Sequence, residues 1–195
     1  MLFRSASKGL ACDLAALLEA RDVLRGEARN EDDLRTRLAA LEALRAGRPL
    51  GHDVDRGALA RVDQVARQLR ERVRASAGRE INDAGAVLAL AFPDRIARMD
   101  PAQRLRYQLS NGRGARLHEN SSLAGEPWLA VAELRLEERD SLIRRAAPVD
   151  EASLRELFPD AWQDGVTLRF NRETLAVEAA QTQRFASIVL ASRNL

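Results

Sequence analysis

Two arginines in the segment 107–117 have the type and spacing expected of anion-binding residues. Arg113 lies between Gly112 and Gly114, and Arg116 follows in the same short segment. A guanidinium group forks onto a phosphate, and glycines on both sides let that phosphate also approach backbone N–H groups. The pattern therefore predicts contacts with a nucleic-acid backbone. The alternative is an edge bulge whose arginines only keep the strand soluble.

Polar residues of the following loop could extend this surface. They are His118, Asn120, Ser121 and Ser122. Hydroxyl and amide groups bind phosphate and sugar oxygens in many nucleic-acid complexes. The same residue types also satisfy backbone N–H groups in solvated turns, so a purely structural loop is the alternative.

A further group of arginines lies on a predicted helix. Arg67, Arg70 and Arg74 follow the spacing i, i+3, i+7, so they share one helix face. Such a face could contact a strand of nucleic acid. Charged helix faces are commonly just solvated, however, and Glu71 is adjacent, so that second interpretation stays open.

The sequence predicts no catalytic residue, metal site or cofactor site in this chain. His52 and His118 are the only histidines and Cys12 is the only cysteine, so no zinc-type spacing is present. A P-loop needs a glycine-rich turn followed by Lys and Ser or Thr, and the single lysine, Lys8, does not lie in such a turn. We therefore expect no ATP hydrolysis by the chain alone.

The composition is that of a soluble globular protein in a reducing compartment. Hydrophobic residues make up 46% and charged residues 31% of the 195 residues, which argues against disorder. The formal net charge is only +2, so nucleic-acid binding would need a local cluster of arginines. No apolar run approaches the ~18 residues of a membrane span. With one cysteine and no signal-peptide pattern, the expected location is the cytoplasm, away from membranes.

The first hundred residues have the periodicity of helices. An apolar surface over 11–18 predicts a first helix, and Leu34, Leu38, Leu41 and Leu44 predict a second. Asn30 is the expected N-cap of that second helix, and Gly47 is its expected stop. These helices begin a small helical bundle over residues 1–100.

Two more helices complete the predicted bundle. The third runs from Asp55 to near Gly78 and buries one stripe, formed by Val62, Val65, Leu69 and Val73. The fourth is capped by Asp83 and ends before Pro93, because the residue before a proline avoids the α region.

The pattern changes to short strands after Asp100–Pro101, the predicted domain boundary. Residues 107–117 read as a strand pair or bent strand, residues 128–134 alternate as a second strand, and residues 142–149 follow a charged turn. Asp150 caps a short helix, residues 166–180 form a hairpin, and residues 184–191 form the last strand. The fold class is therefore α+β, with a small β-rich domain, carrying one inserted helix, over residues 101–195.

Three segments in order resemble one family. They read ACDLAALLEARD (11–22), FPDRIA (92–97) and YQLSNGRGARLHENSSLAGEPWLAVAELRL (107–136). The chain resembles the accessory region behind the motor of HrpB, a bacterial ATP-dependent helicase related to the DEAH-box RNA helicases. HENSSLAGEPW is similar to the family's His-Pro-x-Ser-x-Leu followed by Trp. Glu119 stands where the broader family has proline, and Phe170 stands where HrpB sequences usually have tryptophan.

The resemblance implies a ratchet-like bundle for residues 1–100 and an OB-like domain for 101–195. It also implies a parent chain whose motor domains use ATP and Mg²⁺, with this region lining a channel for single-stranded nucleic acid, RNA in preference to DNA. The alternative function is that of a protein-interaction module, which docks a regulator or partner subunit. The near-neutral net charge suits that second interpretation.

Overall fold

Five α-helices are found in the computed structural model, which describes residues 5–6, 8–73, 80–171 and 175–194. The helices are α1 Lys8–Glu19, α2 Leu34–Arg45, α3 Arg56–Arg72, α4 Ala84–Ala91 and α5 Glu151–Leu157. Aspartates Asp33, Asp55, Asp83 and Asp150 cap the last four, and each carboxylate accepts a backbone N–H of the first turn. The caps predicted at Asp83 and Asp150 are confirmed, and the helix start predicted at Asp55 is correct, with Asp55 as the N-cap.

The start of α2 differs from the prediction. Asn30 is not its N-cap, because residues Gly26–Asn30 form a 3₁₀ turn of their own. Asp33 caps the helix instead and accepts the N–H of Arg35 at 2.9 Å. The predicted stop is correct, since Gly47 takes a φ of +64° just after the helix ends.

The third helix ends at Arg72; the predicted end near Gly78 lies outside the described residues. Its buried stripe is narrower than predicted, because Val65 and Val73 are 38% and 47% exposed. The side chains that face the core are Ala58, Leu59, Val62 and Ala66.

A closed five-stranded barrel forms the centre of the molecule. Its strands are β3 Ile96–Asp100, β4 Gln103–Leu109, β5 Gly114–Arg116, β6 Trp128–Arg135 and β7 Ser141–Pro148, in the order β3-β4-β5-β7-β6. All neighbours are antiparallel except β5 and β7. The predicted strand pair within 107–117 is confirmed as the β4–β5 pair. The first barrel strand lies ahead of the predicted boundary at residue 100.

The last three strands form a separate sheet rather than part of the barrel. They are β8 Trp162–Asn171, β9 Ala176–Phe185 and β10 Ile188–Asn194, in the order β10-β9-β8. The predicted hairpin is present but longer. The last strand begins after a turn in which Ala186 has a φ of +49°, so Arg184 belongs to β9. Two short strands, β1 Ser5–Ala6 and β2 Glu80–Ile81, pair in parallel.

Strand β6 joins the helices to the barrel because both of its faces are buried. Leu129 and Val131 point into the barrel, whereas Trp128, Ala130 and Ala132 pack with the helices. Gly85 of α4 lies directly on β7: a Cβ at this position would be 1.8 Å from the carbonyl oxygen of Pro148.

An aromatic cluster ties the base of the β8–β9 hairpin to this junction. The ring centroids of Trp162 and Phe185 are 4.9 Å apart, and those of Trp128 and Phe185 are 5.3 Å apart. Further along β8, Val166, Leu168 and Phe170 are exposed, at 61%, 69% and 56%. The hairpin therefore has a buried base and an apolar row in solvent.

Candidate nucleic-acid interface

The outer surface of β4 carries arginines because side chains alternate along a strand. Tyr107 and Leu109 are buried inside the barrel, which places Arg104 and Arg106 outside. The register sets Arg116 of β5 beside Arg106 and Arg98 of β3 beside Gln108. We call these residues, together with Arg113 of the β4–β5 turn, the basic face. Its members are Arg98, Arg104, Arg106, Arg113 and Arg116.

Three arginines of the basic face make no ion pair within the described ranges. Arg98 donates to the carbonyl oxygen of Pro127 at 3.2 Å and lies over the Trp128 ring. Arg104 donates to the carbonyl oxygen of Ala124 at 3.3 Å. Arg113 is exposed and its guanidinium has no partner in the described part of the chain. Arg104 and Arg113 therefore have no paired carboxylate in the described ranges, whereas the charge of Arg98 acts on the nearby Glu151 carboxyl.

The other two arginines are paired with carboxylates of the β6–β7 turn. Arg106 contacts Asp140 at 3.1 Å, and Arg116 contacts Glu137 at 2.8 Å. Arg135 also donates hydrogen bonds to the Glu137 carboxylate. The hydrogen bonds from Arg135, and then those from Arg116, hold the pKa of the Glu137 carboxyl below its usual range. Both ion pairs are exposed to solvent, so each contributes little to stability and can exchange for a phosphate.

The glycines around Arg113 serve the turn rather than an anion. Gly112 has a φ of +88° and donates its N–H to the carbonyl oxygen of Leu109 at 2.8 Å. The N–H of Arg113 donates to the Asn111 side chain at 3.0 Å. Both amides are thus occupied, and the predicted approach of a phosphate to them is not available in this conformation. Gly114 leaves room for the carboxylate of Asp140, which would lie 1.9 Å from a Cβ.

Two open depressions border Arg106. One, of about 450 Å³, is lined by Arg98, Arg106, Gln108 and Val189, among others. The second, of about 550 Å³, is lined by Arg104, Arg106, Arg116 and Glu119. Together they make a shallow path across the basic face.

The loop predicted to add polar contacts is held largely by the protein itself. The Ser122 hydroxyl donates to the Glu31 carboxylate at 2.6 Å, and the Ser121 hydroxyl oxygen accepts the N–H of Leu123 at 3.1 Å. His118 Nδ1 accepts the N–H of Asn120 at 3.4 Å. The Asn120 side chain remains exposed. The loop therefore joins the barrel to the segment before α2.

The arginines of α3 lie in the helical part and bind carboxylates there. Arg67 contacts Asp63 at 2.6 Å, and Arg70 pairs with Asp13 of α1. Arg45 bridges the same two aspartates, at 2.8 Å from Asp13 and 2.6 Å from Asp63. These contacts link α1, α2 and α3. Arg74 lies outside the described residues.

The sequence interpretation missed Arg98, Arg104 and Arg106. A signal was present in RLRYQL (104–109), where basic and polar residues alternate with Leu105, Tyr107 and Leu109. Across the described ranges, no group of three or more His, Cys, Asp or Glu side chains could hold a metal ion. No helix in those ranges is both long and apolar enough to cross a bilayer.

Comparison with solved structures adds a likeness over nearly the whole chain. The crystal structure of the E. coli DExH-box NTPase HrpB matches 96% of this chain at 26% identity, with a TM-score of 0.66. The resemblance to HrpB is confirmed. A second structure, the E. coli DEAH/RHA helicase HrpB, matches the same share at 24% identity and a TM-score of 0.63. No protein-family model and no curated protein matches the sequence.

The chain spans only about a fifth of the HrpB chains that it matches, with a coverage of 21% in both comparisons. A match to this share of the HrpB chain is consistent with the accessory region expected from the sequence. The comparison supports a likeness to such a region and nothing beyond it. The α+β class is likewise borne out by the five helices, the closed barrel and the additional sheet.

Proposed function

We propose that this chain is the accessory region of an HrpB-type ATP-dependent helicase and that its basic face holds single-stranded nucleic acid, RNA before DNA. The observation that carries this proposal is the set of three arginines that form no ion pair within the described ranges: Arg104 and Arg113, which are exposed, and Arg98, which is half-buried. ATP and Mg²⁺ would be bound by the motor domains of the parent chain, which would move the strand past this region.

The barrel topology supports the position of this interface. An OB-fold is a five-stranded barrel that binds oligonucleotides on the face of its second and third strands. The second and third strands of this barrel are β4 and β5, which carry Arg104, Arg106 and Arg116. We therefore assign the barrel as the OB-like domain and α1–α4 as the ratchet-like bundle.

The spacing of the arginines suits a flexible, charged backbone. Residues two apart on a strand are separated by roughly 7 Å, and adjacent strands by roughly 5 Å. Several guanidinium groups can therefore reach neighbouring phosphates of one strand. Aromatic residues are only 4% of the chain. Trp128 is buried and Trp162 packs against it, partly buried, so binding would depend on phosphate contacts and would be insensitive to sequence.

Titration of the chain against fluorescent single-stranded RNA and DNA across a salt series tests the proposal. Each lost phosphate contact lowers the slope of log K against log salt by about 0.7 for single strands. The variants Arg104→Ala/Arg106→Ala and Arg113→Ala/Arg116→Ala should each bind more weakly, with slopes lower by up to about 1.4. Arg48→Ala, an exposed arginine in the helical part, is the matched control. No binding by the unmodified chain at low salt would reject the proposal.

A second candidate function, docking of a regulator or partner subunit, is favoured by the apolar row of β8. Val166, Leu168 and Phe170 are all more than half exposed on an edge strand, and such strands pair readily with other chains. This function predicts an association that does not weaken with salt and that is lost in Leu168→Ser/Phe170→Ser. Retained partner binding in that variant would reject it.

A further inference from the structure

Asp32 lies in the seam between the helical part and the barrel. Its carbonyl oxygen accepts the N–H of Ala146 in β7 at 2.9 Å, and the next residue, Asp33, forms a parallel bridge with Ala146. Ser122 from the barrel side holds Glu31. The segment 31–33 thus pairs with β7 over a few residues, like a short additional strand. Asp32 is only 3% exposed there.

The carboxyl group of Asp32 is buried without a partner. Neither of its oxygens makes a hydrogen bond to any described residue. The arginines at the start of α2 bind other groups: Arg35 binds Asp33, and Arg37 binds Asp22 and the carbonyl oxygen of Glu31. An ionised carboxylate in such a place is costly, and the group becomes neutral instead.

The charged and titratable groups around Asp32 also oppose its ionisation. Glu31 and Asp33 on its own segment are acidic. From the barrel, the Tyr107 phenol interacts electrostatically with Asp32, and Glu126 and Arg104 act on the same phenol with opposite sign. Burial first, and then the charges of Glu31 and Asp33, raise the pKa of the Asp32 carboxyl, whereas the nearby Ser121 hydroxyl favours the charged form without completing a hydrogen bond.

We propose that the protonation state of Asp32 controls how firmly the segment 31–33 is held on β7. While the Asp32 carboxyl is neutral, the segment stays packed on β7. When the carboxyl loses its proton to water, that packing loosens. The contact expected to weaken is the hydrogen bond from the backbone N–H of Ala146 to the backbone carbonyl oxygen of Asp32. The inference is independent of nucleic-acid binding.

The sign of the pH dependence follows from proton uptake on folding. The folded chain holds the Asp32 proton more tightly than the unfolded chain. The stability that this proton contributes is therefore fully present at pH values below the ordinary pKa of 3.8. It is lost as pH rises through the raised pKa of the folded protein. Each unit by which the pKa is raised changes the unfolding equilibrium constant tenfold.

Denaturant unfolding from pH 4 to pH 9 of the unmodified chain, Asp32→Asn and the exposed-site control Asp164→Asn tests the proposal. Asp32→Asn keeps the shape and removes the charge, so its stability relative to the unmodified chain should rise with pH and then level off. Asp164→Asn should show no such trend. Hydrogen exchange gives a local readout: protection of the Ala146 amide should fall with pH in the unmodified chain and stay constant in Asp32→Asn.

Two results would overturn the proposal. One is a stability difference between Asp32→Asn and the unmodified chain that is the same at every pH. The other is an Ala146 amide whose protection does not depend on pH. If Asp32→Asn fails to fold, the carboxyl ¹³C shift of Asp32 in the unmodified chain decides, because titration at or below the ordinary value contradicts the inference.

Discussion

Replacement of Gly85 by alanine tests how closely the helical part lies on the barrel. A Cβ at Gly85 would lie 1.8 Å from the oxygen and 2.6 Å from the carbon of the Pro148 carbonyl group. Cβ atoms essentially never approach other heavy atoms within 3.0 Å. Since the obstacle is backbone, no side-chain rotation can relieve it. Helix α4 and strand β7 must therefore move apart by roughly 1 Å in a close-packed interior.

Two opposing effects set the expected size of this change. Alanine is favoured over glycine in a helix by about 0.8–1.0 kcal/mol. Overpacking in a core costs about 1–3 kcal/mol and occasionally more, and an immovable backbone neighbour places this case at or above the upper end. We expect a net loss of about 2 kcal/mol, which lowers the Tm by about 4–8 °C for a chain of this length.

Urea unfolding followed by tryptophan fluorescence measures this loss, because Trp128 is buried in the core and Trp162 packs against that core. Gly57→Ala is the matched control in α3, where a Cβ would meet Asp55 Oδ1 at 3.5 Å and Arg61 Nη1 at 3.7 Å. Those are ordinary contacts, so the control should keep or slightly raise stability. A Gly85→Ala protein as stable as the unmodified chain would refute the close approach of α4 and β7.

Three further predictions concern single groups. Burial raises the pKa of Tyr107, the only tyrosine, to about 12. A spectrophotometric titration should therefore show the Tyr107 phenolate forming near that pH. The stability of the protein should fall as pH rises from 10 towards 12, because the unfolded chain loses this proton first. Asp140→Asn removes the carboxylate paired with Arg106, so single-stranded RNA should bind more tightly, because Arg106 no longer has to leave a carboxylate to contact a phosphate; unchanged binding would count against the basic face. Arg37→Met removes the fully buried guanidinium from the Asp22 carboxylate, which keeps its 3.4 Å contact with Arg145, and should cost about 3 kcal/mol in denaturant unfolding; a loss below about 1 kcal/mol would match an exposed ion pair instead.

The helices could be predicted from the sequence because their starting signals are local. Asp55, Asp83 and Asp150 cap helices through contacts three residues away. The choice of Asp33 over Asn30 could not be read in this way. Arg37 is buried and holds Asp22 together with the carbonyl oxygen of Glu31, and this longer-range contact fixes where the chain turns into α2.

The candidate interface could be predicted only in part for a similar reason. Arg113 and Arg116 were conspicuous beside glycines, whereas Arg104 and Arg106 gain their importance from the barrel, which decides which face of β4 is outside. The carboxylate on Arg106 comes from Asp140, 34 residues along the chain. Closure of the barrel through the parallel β5–β7 pair brings these residues together, and no local pattern announces that pairing.

The β8–β9 hairpin has a mechanical consequence. Each of its strands has ten residues, so the ribbon is about 33 Å long at the usual rise per residue. Its base rests on the rings of Trp162 and Phe185, which touch Trp128 of the barrel. A load applied at the far end therefore acts as torque on β6 and on the helices packed against it. Indole emission, which responds to ring packing, would register that torque without any added label.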